Sequence, residues 1–143
     1  MGDTNNEILL TKSHDNYSFV IEYTSRKEFS YHIAINRMYY SLFQYMSYIV
    51  IDLGYDKYDD KGKDSHKQTF DNFFYAFRDK LPHSDRVAFK SYFSDLKNGR
   101  IKADYKGEQL SNEEFRDYKT MFKNMRALIV KCHSKLKGVD LIE

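Results

Sequence analysis

The sequence predicts an all-α protein, an up-and-down bundle of four or five helices. Apolar residues recur at helical spacing along most of the 143-residue chain, and no segment alternates as a strand would. One proline and six glycines are too few for the many turns of an all-β protein. The length predicts a single domain spanning residues 1–143, with flexible ends at 1–6 and 138–143.

The composition excludes several classes of protein. Hydrophobic residues make up 41% of the chain and aromatic residues 17%, which is too much for a disordered tail. A single cysteine excludes an internal disulfide and a cysteine-based structural zinc site. No histidine or carboxylate spacing indicates a metal and no glycine-rich phosphate loop occurs, so we expect no cofactor. The chain shows no signal peptide, and its longest apolar run is too short to cross a bilayer, so we expect a soluble cytoplasmic protein.

The first two helices are predicted at about 5–23 and from Ser25 to Leu53. Ser25 is a candidate N-cap, and Gly54 is a natural stop. The inner stripe of the first helix is predicted to be Leu10, Tyr17, Val20 and Ile21. The second helix is apolar on more than one side, which predicts that it is central or lies at a subunit interface.

The third and fourth helices are predicted on either side of Pro82. Asp64 or Ser65 caps the third, and Ser84 caps the fourth. The third helix has an inner stripe of Phe70, Phe73, Phe74 and Phe77, and the fourth has Phe89, Phe93, Leu96, Arg100 and Ala103. Asn98-Gly99 interrupts the fourth pattern and predicts an early end or a bend.

The last helix is predicted to begin with a capping box of Ser111 and Glu114. Apolar residues then recur with a period near 3.6, namely Phe115, Tyr118, Phe122, Met125, Ile129 and Cys132. Cys132 lies on this stripe, so we expect it to be a small buried hydrophobe rather than a nucleophile.

Two arginines stand on apolar lines where leucine would be expected. Arg37 follows Phe29 and Ile33, and Arg100 follows Phe93 and Leu96. A buried guanidinium needs a partner, so we expect Asp104 to pair with Arg37 across two packed helices. One interpretation is a structural clamp that fixes the helix register. The other is an anion site for RNA phosphate, because the planar guanidinium donates two parallel hydrogen bonds.

Two segments at these arginines resemble a known family. The sequence Asn36-Arg37-Met38-Tyr39-Tyr40-Ser41-Leu42-Phe43 is similar to the Asn-Arg-x-Tyr-Tyr-Ala-x-Phe signature of small prokaryotic HEPN-domain proteins. The sequence Arg100-Ile101-Lys102-Ala103-Asp104-Tyr105 is similar to the Arg-x-x-Ala-Asp-Tyr signature of the same branch. The resemblance covers about 27–136, and Ser41 replaces the usual alanine.

The resemblance implies a helical bundle, usually a homodimer, that binds or cleaves RNA. Such proteins belong to toxin–antitoxin, antiviral defence and CRISPR-linked systems, and some act with a nucleotidyltransferase partner. Catalytic members cleave RNA without a metal through Arg-x4–6-His. Arginine can stabilise the phosphorane while histidine moves a proton. Here Tyr105 follows Arg100 at that spacing, and tyrosine is a poor base at neutral pH.

The candidate catalytic residues are therefore Arg37, His66, Arg100, Asp104 and Tyr105. His66 stands at the start of the third helix, after a loop that could bring it towards Arg37 and Asp104. Its alternative role is an exposed first-turn residue. The Arg-x4–6-His spacing occurs three times elsewhere, at Arg26 and His32, Arg78 and His83, and Arg126 and His133. We expect solvated or capping roles for these three pairs.

The charge pattern suggests where RNA would bind. Between Lys119 and Lys137 the last helix contains six basic residues and no acidic residue, although the net charge of the chain is only +2. A basic strip on a near-neutral protein is typical of nucleic-acid binding, and a solvated helix face is the alternative. The candidate RNA-binding residues are Lys97, Lys102, Lys119, Lys123 and Arg126.

Three functions remain open on the sequence. The first is a HEPN-like, RNA-associated protein of a prokaryotic defence or toxin–antitoxin system. The second is an active, metal-independent endoribonuclease that uses Arg37 or Arg100 with His66. The third is a non-catalytic, dimeric partner of a nucleotidyltransferase or another protein, such as an antitoxin, bound through the apolar second helix.

Overall fold

The computed structural model describes residues 4–54, 65–105 and 110–137. All regular structure in these ranges is helical, so the predicted all-α bundle is confirmed. The helices are α1 (Thr4–Tyr23), α2 (Tyr31–Asp52), α3 (Ser65–Phe77), α4 (His83–Tyr105) and α5 (Asn112–Lys137).

Helix α2 is the centre of the bundle and packs against each of the other four helices. Its side chains are buried on several sides, including Ala34, Ile35, Met38, Tyr39, Leu42, Met46 and Ile49. Burial of so wide an apolar surface is the main favourable contribution to folding that this helix makes. The sequence predicted that the second helix is either central or at a subunit interface, and its position in the centre of the bundle is confirmed.

Side-chain contacts give the directions of the helices. Ser13 of α1 exchanges hydrogen bonds with Ser41 of α2, and Asn16 contacts both Arg37 and Gln44, which makes α1 antiparallel to α2. Helix α5 is parallel to α2, because Tyr31 stacks on Phe115 and the Tyr45 hydroxyl contacts His133. Helix α4 is antiparallel to α5, because Gly99 packs against Tyr118 and Asp85 forms an ion pair with Lys131.

Helix α3 runs against α4, because Phe70 stacks on Phe93 while Phe77 meets Phe89. It therefore runs in the same direction as α2, a departure from strict alternation that the apolar pattern does not reveal. Phe70, Phe73, Phe77, Phe89 and Phe93 form a continuous aromatic layer between the two helices. Close-packed rings of this kind contribute beyond the area that they bury.

The start of α2 differs from the prediction. The N-cap is Ser30, whose side chain accepts a hydrogen bond from the backbone of Ile33, so the expected cap at Ser25 is wrong. Ser25 instead donates to the carbonyl of Glu22 in the turn after α1. The Tyr23 hydroxyl accepts from the Ser30 backbone at 2.9 Å and so helps to hold the longer connection in place. At the other end Gly54 has a φ of 76°, as a helix stop requires.

Two further details of the predicted helices are corrected. Helix α4 begins at His83, and the Pro82 carbonyl accepts the first helical hydrogen bond from Arg86, so Ser84 lies in the first turn and is not the cap. Val20 of α1 is buried, but Ile21 is 37% exposed and does not belong to the inner stripe.

The predicted capping box at the start of α5 is confirmed. The Ser111 hydroxyl accepts from the Glu114 backbone at 3.0 Å, and the Glu114 carboxylate accepts from the Ser111 backbone at 3.0 Å. The hydrogen bond from the Ser111 backbone favours the ionised carboxylate and lowers the pKa of Glu114.

Helix α4 continues through Asn98-Gly99, so the early end does not occur, and the alternative of a bend stays a prediction. Gly99 is buried, and a Cβ atom at this position would lie 2.8 Å from Cε1 and Cζ of Tyr118. The Tyr118 ring therefore packs into the space that a Cβ atom at this position would occupy, which favours glycine here in spite of its poor helix propensity.

We expect Gly99→Ala to lower the free energy of unfolding by about 1 kcal/mol, because overpacking exceeds the gain in helix propensity. In a Tyr118→Ala background the obstructing ring is gone, and the same substitution should stabilise the protein by about 1 kcal/mol. Urea unfolding of the four variants measures both effects. An equal effect of Gly99→Ala in the two backgrounds would contradict the packing account.

Candidate functional site

The two segments that carry the family resemblance meet in space. The Arg100 guanidinium of α4 lies over the Tyr39 ring of α2, 4.7 Å from its centroid, and 5.7 Å from the Tyr40 centroid. Tyr39 is buried, while Tyr40 and Arg100 are half-buried. Stacking of a guanidinium on these rings is a favourable cation–π contact that orients both groups. Arg100 therefore points towards the bundle, as predicted.

Arg37 lies elsewhere, and the prediction that it points inward is wrong. Its side chain is exposed at the seam between α1 and α2, where it donates to Asn16 Oδ1 at 3.1 Å. Its guanidinium also stacks on Phe19, 5.1 Å from the ring centroid. Asn16 in turn donates to Gln44 at 2.8 Å. These contacts orient the guanidinium and leave most of its donors facing solvent.

The error has a physical cause. On the line from Ile33 to Gln44, Ile33 is 38% exposed and Arg37 is exposed, while Tyr40 and Gln44 are half-buried. Because α2 is apolar around most of its circumference, its sequence pattern does not distinguish the buried sides from this one.

The side chains of His66, Asp104 and Tyr105 lie outside the described residues, although their backbones belong to α3 and α4. Pairing of Arg37 with Asp104 and a role for His66 therefore stay predictions. The outward position of Arg37 removes the premise that it needs an acid because it is buried.

The candidate RNA-binding lysines have different surroundings. Lys123 is exposed on α5, and Lys119 lies one turn before it and is half-buried. Loss of hydration lowers the pKa of Lys119, and the charge of Lys123 lowers it further. Lys102 is half-buried and lies 3.9 Å from the Glu114 carboxylate. Lys97 is half-buried on α4.

Lys102 lies at a groove of about 440 Å³ between α4 and α5. Its lining contains three carboxylates and one ammonium group, and consists of Asp95, Asn98, Lys102, Glu114, Asp117, Tyr118 and Met121. Excess negative charge repels phosphate, so this groove is a poor place for RNA. In the ranges that the structure describes, no group of three or more histidines, cysteines or carboxylates could hold a metal ion.

Arg126 and His133 are buried, so the expectation that this pair is solvated is wrong. Only 6% of Arg126 and 7% of His133 are exposed. Both face α1 and α2, where they form a polar cluster with His14, Tyr17 and Tyr45. Arg126 is consequently not a surface residue of a basic strip.

One contact links Arg126 to α1. Arg126 Nη2 lies 2.9 Å from His14 Nδ1, and an arginine can only donate, so Nδ1 is the acceptor in this hydrogen bond. The Arg126 guanidinium also stacks on Tyr17 at 4.0 Å, and the Tyr45 hydroxyl lies 3.2 Å from His133 Nδ1.

Sequence spacing contained a signal for this cluster. Phe122, Arg126, Ile129 and His133 follow one another at intervals of four, three and four residues, which places all four on one side of a helix. Because Phe122 and Ile129 are fully buried, their polar neighbours on that side are buried too. The sequence does not reveal the partners of Arg126 and His133 on α1 and α2, since these partners are 81 to 112 residues away in the chain.

The other two Arg–His pairs have the solvated roles that we predicted. Arg26 is exposed and pairs with Glu22 at 2.9 Å, and His32 is exposed beside the Ser30 hydroxyl. Arg78 and His83 are both exposed on either side of Pro82. Cys132 is fully buried, as predicted, and loss of hydration raises the pKa of its thiol to about 12, which disfavours the thiolate.

No described helix combines the length and apolar character needed to cross a membrane. Comparison of the chain with protein-family models, curated proteins and solved structures found no match in any of the three. The resemblance to HEPN-domain proteins therefore rests on the two motif segments and on the contact that joins them.

Removal of the acceptor at His14 should destabilise the protein. We expect His14→Ala to lower the free energy of unfolding by about 1 kcal/mol, because the buried Arg126 guanidinium would lose one hydrogen-bond acceptor. The asparagine of His14→Asn offers a side-chain oxygen in place of Nδ1, so this variant should lose less.

Urea unfolding measures this difference. His32→Ala, at an exposed histidine of α2, is the matched control and should keep the wild-type stability. Equal effects of His14→Ala and His32→Ala would contradict a contribution of the contact to stability.

Proposed function

We propose that this protein is an RNA-associated helical protein, similar to HEPN-domain proteins, from a prokaryotic defence or toxin–antitoxin system. The observation that carries the proposal is the state of Arg37, the arginine of the stronger motif. It is exposed, its guanidinium is oriented by Asn16 and Phe19, and no carboxylate among the described residues pairs with it. A guanidinium held in this way is suited to a phosphate oxygen.

The meeting of Arg100 with Tyr39 and Tyr40 supports the family part of the proposal. The two motif segments are separated by more than fifty residues, yet their characteristic side chains are in contact. Spatial proximity gives a physical reason why the two motifs would occur together in one chain. A homodimer and an antitoxin or nucleotidyltransferase partner, which the resemblance also implies, stay predictions.

Single-stranded RNA should bind with an affinity that decreases steeply with salt, because binding releases counterions. Arg37→Ala should weaken binding about three- to tenfold and make the slope of log K against log salt shallower by about 0.7, the value for one phosphate contact. Fluorescence anisotropy with a labelled oligonucleotide between about 50 and 200 mM salt measures both quantities.

Arg26→Ala removes the same charge from another exposed position, where the guanidinium already pairs with Glu22. We expect this control to leave the slope unchanged. Equal effects of the two substitutions would show that only net charge matters and would remove Arg37 from the interface. Lack of RNA binding at the lowest salt would refute the proposed function.

A metal-independent endoribonuclease is a second candidate, favoured by the proximity of His14 to Arg126. His14 is exposed, and the Arg126 guanidinium lies 2.9 Å from its Nδ1. A histidine beside a fixed cation can move a proton while the cation stabilises the charged phosphorane. The burial of Arg126 limits this candidate, because RNA would have to reach a guanidinium that is only 6% exposed.

If this candidate is correct, wild type should cleave single-stranded RNA in EDTA, and His14→Asn should lower the rate at least a hundredfold. The asparagine keeps the hydrogen bond to Arg126, so loss of fold would not explain the loss of cleavage. His83→Asn, prepared identically, is the control for contaminating nuclease and should cleave like wild type. Absence of cleavage by wild type, or equal cleavage by His14→Asn, would exclude the candidate.

A further inference from the structure

We propose that a second copy of this chain docks on helix α5 in an antiparallel, two-fold arrangement. We define the docking side of α5 as the exposed side that carries Glu113, Asp117, Asn124, Lys131 and Lys135. The inference goes beyond the proposed function, because it does not depend on RNA binding. It gives the homodimer that the family resemblance implies a contact surface away from the apolar helix α2.

The five residues of the docking side lie on one side of the helix. They follow one another at intervals of four, seven, seven and four residues, and residues four or seven positions apart share a side of an α-helix. All five are exposed. The docking side therefore carries two acids near the start of the helix, an amide in the middle and two lysines near the end.

The charge of α5 changes sign along its length. The charged residues of 112–121 are Glu113, Glu114, Arg116, Asp117 and Lys119, and those of 122–135 are Lys123, Arg126, Lys131 and Lys135. Helix α4 contributes both Asp95 and Lys102 to the groove beside Asp117, and its Asp85 lies 3.3 Å from Lys131. With these neighbours counted, the first end still has a net negative charge and the second a net positive one.

Ends of opposite charge are complementary in an antiparallel pair of helices. Glu113 and Lys135 lie eleven residues on either side of Asn124, and Asp117 and Lys131 lie seven residues on either side of it. A two-fold axis at Asn124 therefore places each acid against the corresponding lysine of the second copy. Each contact occurs twice in such an isologous interface. A parallel pair would instead bring like charges together.

The centre of the docking side suits the packing of one helix on another. In this register Asn124 meets its own counterpart, and an amide can both donate to and accept from a second amide. Met121 faces Ala127 of the second copy, and Thr120 faces Leu128, so a larger side chain meets a smaller one in both places. Met121 and Leu128 are half-buried within one copy, which leaves apolar surface for the second copy to cover.

A second copy is the occupant that these charges favour. Phosphate is attracted to the lysines but repelled by the acids, so a nucleic acid would not follow the whole docking side. The second copy supplies both signs of charge at the required spacing, over about 33 Å of helix. Exposed ion pairs contribute little each, so we expect a dimer that dissociates on dilution.

Sedimentation equilibrium between about 1 and 500 µM protein measures the dissociation constant of the dimer. Glu113→Lys and Lys135→Glu should each weaken the dimer about tenfold, because two attractive pairs become repulsive. Lys135 suits this reversal better than Lys131, since Lys131 also pairs with Asp85. An equimolar mixture of the two variants should recover the wild-type affinity, because both pairs of the mixed dimer are attractive.

Lys123→Glu is the matched control, since it reverses an exposed charge on another side of α5. It should leave the dissociation constant unchanged. Circular dichroism checks that each variant keeps its helices, and recovery in the mixture shows independently that both reversed variants are folded.

Disulfide cross-linking tests the register of the two helices. Under mild oxidation Asn124→Cys should form a disulfide between copies, because a residue at the axis lies close to its own counterpart. Lys123→Cys points to a different side and should stay monomeric on a denaturing gel. The native Cys132 is fully buried, and wild type in the same oxidant shows any contribution that it makes.

A wild type that stays monomeric at the highest concentration would overturn the inference. So would a dimer that neither reversal weakens, or cross-linking of Lys123→Cys in preference to Asn124→Cys. These measurements contain no RNA, so their failure leaves the proposed function standing, and failure of RNA binding leaves the dimer standing.

Discussion

The burial of helix α2 on nearly all sides is the constraint on which the rest of the structure depends. Its apolar surface is too wide for one neighbour to cover, so α1, α3, α4 and α5 all pack against it. That arrangement brings Arg100 of α4 to Tyr39 and Tyr40, and it brings Arg126 of α5 to α1. These arginine contacts therefore depend on the side of α2 that α4 and α5 each cover.

Aromatic rings are the common surroundings of the arginines in this chain. The guanidinium groups of Arg37, Arg78, Arg100 and Arg126 each stack on a phenylalanine or tyrosine ring. A chain with 17% aromatic residues and no tryptophan offers many such ring faces. A ring holds a guanidinium without neutralising it, so the positive charge is retained where the group is exposed. Arg26 also lies over a ring, that of Tyr23 at 5.2 Å, but its charge is paired with Glu22, which distinguishes it from Arg37.

Local signals in the sequence predict the helices well, because capping and helix stops depend on near neighbours. The Ser111 capping box and the stop at Gly54 are examples. The start of α2 at Ser30 was missed, since Ser25 and Ser30 both offer a capping hydroxyl, and the Ser25 hydroxyl instead donates to the Glu22 carbonyl. Arg37 and Arg126 were both misplaced, because periodicity identifies a side of a helix but not what packs on it. The Arg37 guanidinium is outside and Arg126 is inside.

Nuclear magnetic resonance of the arginine side chains during titration with single-stranded RNA tests the central claim most directly, since the chain has only seven arginines. The account predicts that the Nε–Hε resonance of Arg37 moves with RNA, while that of Arg26 stays in place. Resonances that remain unchanged at saturating RNA, or that move for Arg26 and not for Arg37, would contradict it.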